Sequence, residues 1–121
     1  MAREVPDLRP GIFRVLRLLS SPEEQLDYER RVPSTSVPTE LLSQWFDDQY
    51  VPESESFRLC FSSQEMEALS VFNNYFDVAE KRLPQPRDGI GAWLEDETWQ
   101  GIMREAARAL SALGPASTNQ K

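Results

Sequence analysis

Histidine is absent from this 121-residue chain, and cysteine occurs once, at position 60. The chain alone therefore cannot assemble a zinc site from the usual Cys and His ligands, a Ser-His-Asp triad or a Cys-His pair. It cannot close an intrachain disulfide either, and a reducing cytoplasm is the expected setting. Apolar runs are short, such as Val15-Leu16 and Leu18-Leu19, far from the roughly 18–20 residues that a membrane span needs. The opening MAREVPDLRPG sets acids and prolines before any apolar run, which is not the pattern of a secretory signal. Basic residues are scarce in the middle. Residues 33–80 hold one, Arg58, against nine acids, a net charge of -8, whereas the flanks carry zero and +1. Binding to phosphate backbones needs clustered Lys and Arg, so nucleic acid is not an expected partner.

What is present reads as helices. Ile12, Val15, Leu16 and Leu19 share a face at 100° per residue, with Arg14 and Arg17 opposite, which predicts a helix over 10–20. Ser21, Pro22 and Glu24 give a cap, an N1 proline and a capping-box acid for a surface helix over 22–31. PSTSVP at 33–38 is a turn, and TELLSQWFDDQY predicts a helix over 38–49 with Leu41, Leu42 and Trp45 on one side. FRLCF alternates Phe57, Leu59 and Phe61 against Arg58 and Cys60, which reads as a short extended segment over 57–61.

The firmest boundary is Ser62. Ser62 and Glu65 match a capping box, and Phe61 with Met66 match a hydrophobic staple. The helix that follows, 63–81, has a wide apolar arc through Leu69, Phe72, Phe76, Tyr75, Val71 and Val78, and is expected to be central. PQPRDGIGA at 84–92 reads as a loop; its GIG lacks the spacing of a phosphate-binding fingerprint. The last helix, 94–113, has Glu95, Asp96 and Glu97 about its first turn and ends at Gly114-Pro115. The expected organisation is a loose lead-in over 1–8, one helical domain over 9–114 and a disordered tail over 115–121. The fold class is all-α, four or five helices packed around 63–81.

Three sets of residues bear on function. Asp47 and Asp48 at the end of one helix and Glu53 and Glu55 in the loop after it concentrate acid, and Tyr50 and Trp93 lie near loop boundaries, where exposed aromatics serve as interface anchors. These six are the expected partner-binding residues. Cys60 reads as a small, partly buried residue rather than a reactive thiol. The carboxylates Glu24 and Asp27, three apart on one helix, and Asp77 and Glu80, three apart on another, have the oxygen chemistry of a magnesium site. This spacing resembles the paired acidic helices of all-α nucleotide pyrophosphatases, which implies a magnesium-dependent hydrolase. Here the order is E-x-x-D and D-x-x-E, and no lysine-rich phosphate-binding set accompanies it.

The leading expectation is a small acidic, non-enzymatic interaction protein without cofactor, metal or catalytic residues. In its sharpest form it is an inhibitor or immunity-type protein that covers a basic partner. The alternatives are the hydrolase and a structural subunit that pairs with itself through an exposed aromatic face.

Overall fold

The computed structural model describes residues 7–85 and 89–114. Residues 1–6 of the expected lead-in and the whole expected tail lie outside them. The described residues form seven α-helices and no strand: α1 Arg9–Ser20, α2 Pro22–Arg31, α3 Val37–Ser43, α4 Glu55–Arg58, α5 Ser63–Ala79, α6 Gly89–Leu94 and α7 Glu97–Ala112. A π-helical turn, Gln44–Gln49, continues α3, and a 3-10 turn, Glu80–Arg82, continues α5.

Local chemistry explains the starts. The Asp7 carboxylate accepts the Arg9 N–H at 3.2 Å, and Pro10 sits in the first turn of α1 where its missing donor does no harm. Ser21 Oγ accepts the Glu24 N–H at 3.1 Å to begin α2. Both arms of the capping box expected at Ser62 are made: Ser62 Oγ accepts the Glu65 N–H at 3.0 Å, and Glu65 Oε1 accepts the Ser62 N–H at 2.9 Å.

Two short helices stand where loop or extended backbone was expected. Ser54 caps α4, so residues 57–61 are a helical turn and its exit rather than an extended segment. Phe57 and Phe61, four apart, are buried, while Leu59 between them is 65% exposed. Burial follows the helical period rather than the alternation of a strand. Cys60 is partly buried; its Sγ accepts the Leu8 N–H at 3.4 Å and faces the Ser56 carbonyl at 3.3 Å. The second correction concerns 84–92, whose end forms α6. Gly89 enters it at φ +85°, a conformation that disfavours side chains, and Glu29 of α2 accepts the next N–H, from Ile90, at 3.1 Å. The helix expected over 94–113 is α7, which starts three residues later because Asp96 caps it through the Thr98 and Trp99 N–H groups and Leu94 closes α6.

α7 packs against both α1 and α5 and so shares the central position expected of α5 alone. α5 buries Leu69, Phe72 and Phe76 but leaves Val71, Tyr75 and Val78 outside, so its apolar arc is wider than its buried face. An aromatic chain crosses the core, with ring centroids 4.9 Å apart for Trp45–Phe72, 5.4 Å for Phe72–Phe76, 6.2 Å for Phe76–Trp99 and 4.8 Å for Trp99–Trp93. Each indole N–H has an acceptor: Asn73 Oδ1 for Trp45, the Pro84 carbonyl for Trp93 and Gln25 Oε1 for Trp99. Buried indoles need such partners.

α2, expected as a surface helix, is anchored to the core by a polar side chain. Leu26 is exposed, whereas Gln25 is fully buried. The Gln25 amide donates to the carbonyls of Leu18 and Leu19 at the end of α1 while accepting from Trp99. One side chain thus joins α1, α2 and α7. No helix among the described residues is long and apolar enough to cross a membrane.

Candidate functional site

The expected acidic surface is carried by the π-helical turn, the loop after it and the start of α4. The wide turn is closed by the Tyr50 N–H donating to the Trp45 carbonyl five residues back, at 3.1 Å. An α-helix would close four residues back, and such widened turns are frequent at functional sites. The extra residue per turn brings position 50 round toward position 45. The two rings stack at 4.8 Å with planes 7° apart, and Tyr50 meets Phe57 edge-on at 5.7 Å. The Gln49 side chain lies against Gly11 of α1, where a Cβ would displace it. Trp45 and Phe57 are fully buried, so the segment rests on a fixed aromatic floor.

Above that floor Asp47, Asp48, Glu53 and Glu55 are all exposed. None of the four forms an ion pair among the described residues. Arg58, the only basic residue of this region, donates to the Pro52 carbonyl at 2.8 Å. The segment therefore presents four solvated carboxylates within nine residues. Burial raises the Tyr50 hydroxyl above its ordinary pKa, a hydrogen bond with Ser70 opposes that shift, and the nearby Glu53 charge adds to it. Tyr50 stays neutral at physiological pH and is half-buried, so it joins the acidic surface to the core.

Trp93 does not join this set. It is 1% exposed, packs against Trp99 and belongs to the core. Its apparent loop position came from reading 84–92 as irregular, whereas it lies inside α6.

The magnesium set is not assembled. Glu24 and Asp27 line an open hollow of about 590 Å³ together with Arg14, Tyr28, Arg31 and Gln44, and neither Asp77 nor Glu80 reaches it. Asp27 binds Arg31 at 2.8 Å and Arg30 at 3.3 Å, and the Arg31 hydrogen bond is the main force holding its carboxyl below the usual pKa. Asp77 lies 3.9 Å from the Lys81 ammonium. No group of three or more Asp, Glu, Cys or His side chains that could hold a metal occurs among the described residues.

Sequence reasoning missed a different polar cluster. The buried Arg9 guanidinium binds both oxygens of Glu65 and the carbonyls of Cys60 and Gly114, and lies 5.4 Å and 5.3 Å from the ring centres of Phe13 and Phe61. Glu65 in turn accepts the N–H groups of Ser62 and Gly114. These partners come from α1, the start of α5 and the residue after α7, so the cluster ties three parts of the fold together. The one legible sign was Glu65 in the capping box; nothing local in sequence tied Arg9 to it.

No protein-family model matches the chain, and neither a curated protein nor a solved structure is significantly similar to it.

Proposed function

We propose that the protein is an interaction domain whose acidic surface, Asp47, Asp48, Glu53 and Glu55, docks a basic protein partner. The observation that supports this reading is that all four carboxylates are exposed, without an ion pair among the described residues, on a segment braced by Trp45, Tyr50 and Phe57. A fixed display of one charge sign steers an oppositely charged partner and keeps the entropy cost of docking low. Exposed carboxylates that already had internal cations would lose part of that attraction. An inhibitor that covers a cationic active site is one form this function takes, and a cytoplasmic setting accords with the single cysteine.

The test is capture of partners from the native host by wild-type protein and by a variant with the four acids changed to asparagine or glutamine. Wild-type protein is expected to recover a basic protein that the variant does not. Recovery of no basic partner, or equal recovery by the variant, contradicts the reading.

A further inference from the structure

α5 presents a second face that the acidic surface does not use. Val71 is 56% exposed, Tyr75 41% and Val78 57%, the highest exposures of any large apolar side chains here except Leu59. At 100° per residue the three fall within about 60° of one another, so they form one strip. They border an open hollow of about 600 Å³ between α5 and α7, whose rim also holds Arg82, Glu97 and Glu105. An adjoining hollow of about 250 Å³ runs on past Val71 between Ala68 and Ala112 and is almost wholly apolar. Isolated exposed apolar residues need no explanation, whereas a continuous strip beside a groove marks a contact surface.

The charges at the ends of the strip identify the occupant. Exposed Glu67 lies one turn before Val71, and exposed Arg82 lies four residues after Val78. The order acid, valine, valine, base is its own complement when reversed. Laid antiparallel on a copy of itself about a two-fold axis between Asn74 and Tyr75, the strip sets each Val71 opposite the other copy's Val78. The same axis sets each Glu67 opposite the other copy's Arg82. A single register thus satisfies the apolar and the ionic pairs together, as a two-fold interface requires. The ionic pairs stand roughly 22 Å apart at the two ends of the contact, Glu67 on α5 and Arg82 on the 3-10 turn that continues it. A strongly basic partner would find no matching field here, because the rim mixes Arg82 and Arg108 with Glu97 and Glu105.

We propose that this face binds a second copy of the chain, α5 against α5 in antiparallel register. None of Asp47, Asp48, Glu53 and Glu55 lines either hollow, so the proposal stands independently of the partner reading above.

Sedimentation equilibrium of the full chain tests it, supported by circular dichroism to show that each variant keeps its helices. Wild-type protein is expected to approach twice the 13.9 kDa chain mass as concentration rises through the micromolar range. Val71→Glu, at an exposed site, should weaken the dimer roughly tenfold or more. Glu67→Arg alone and Arg82→Glu alone should each weaken it by setting like charges together, and the double exchange should restore it. A chain that stays monomeric at several hundred micromolar overturns the proposal. So does a dimer indifferent to Val71→Glu, or one that the double exchange fails to restore.

Discussion

Arg9 Nη1 and Nη2 meet the two carboxylate oxygens of Glu65 at 2.9 Å and 3.2 Å, joining the start of α1 to the start of α5 across 56 residues of sequence. The Gly114 N–H, which follows the end of α7, reaches the same carboxylate at 2.6 Å. Three distant parts of the chain therefore converge on one charge. Burial alone would raise the Glu65 pKa; the Arg9 hydrogen bonds, the Gly114 and Ser62 N–H groups and the Arg9 charge outweigh it and hold the pKa at about 2.

This relationship fixes the acid response. The folded pKa lies below the unfolded value of about 4.5, so the folded state favours the ionised form. The contribution is complete above about pH 4.5 and is lost as pH falls toward 2. A gap of this size corresponds to roughly 3 kcal/mol. Urea denaturation between pH 6 and pH 2 should show stability falling through that window. In Glu65→Gln the fall should be smaller, and at pH 6 the variant should be less stable by about 3–5 kcal/mol because Arg9 is left buried without its counter-charge.

Gln25 sets a second test. Gln25→Ala strands the Leu19 carbonyl and the Trp99 indole N–H and leaves the Leu18 carbonyl with the Ser21 N–H alone. Each stranded buried group costs about 1–3 kcal/mol. A loss of that order or larger is expected in equilibrium unfolding. Adding Trp99→Phe should cost less in the Gln25→Ala background than in the wild type, since the indole donor has already lost its acceptor.

The two sides of α5 should respond in opposite ways. Phe76 contacts the rings of Phe46, Phe72 and Trp99 and is fully buried, so Phe76→Ala should cost about 3–5 kcal/mol. Val71→Ala on the exposed strip should change monomer stability by no more than about 0.5 kcal/mol. Thermal denaturation at low protein concentration measures both.

The bend into α6 depends on Gly89. Its φ of +85° is costly for a side chain, so Gly89→Ala should destabilise by roughly 1–2 kcal/mol even though a Cβ there would make only an ordinary contact, 3.6 Å from Glu29 Oε2. Glu29→Ala should add to that loss by removing the acceptor of the Ile90 N–H.

These contrasts separate what was legible in the sequence from what was not. The capping signals read correctly. Ser21-Pro22-Glu24 marks α2, where the Ser21 arm of the box is made, and Ser62 with Glu65 marks α5, where both arms are, because a cap hydroxyl and the N–H it accepts are three residues apart. Signals that depend on distant partners did not read. Arg9 looks like any surface arginine until α5 and the end of α7 arrive beside it, and Gln25 looks solvated until Trp99 covers it. FRLCF misled because five residues fit a period of two and a helical turn almost equally well, and only the burial of Phe57 and Phe61 with Leu59 outside decides. The acidic cluster was plain from composition. Its footing was not, since the widened turn depends on Tyr50 stacking on Trp45 within a packed core.

Docking of a basic partner on Asp47, Asp48, Glu53 and Glu55, as proposed, requires an affinity that depends on salt. With the captured partner, titrations from about 50 to 200 mM salt should show wild-type affinity falling steeply, because the attraction is between exposed charges. The variant with all four acids neutralised should keep its melting temperature, bind more weakly at low salt and lose most of the salt dependence. Equal affinities and equal salt slopes for the two proteins would contradict the account.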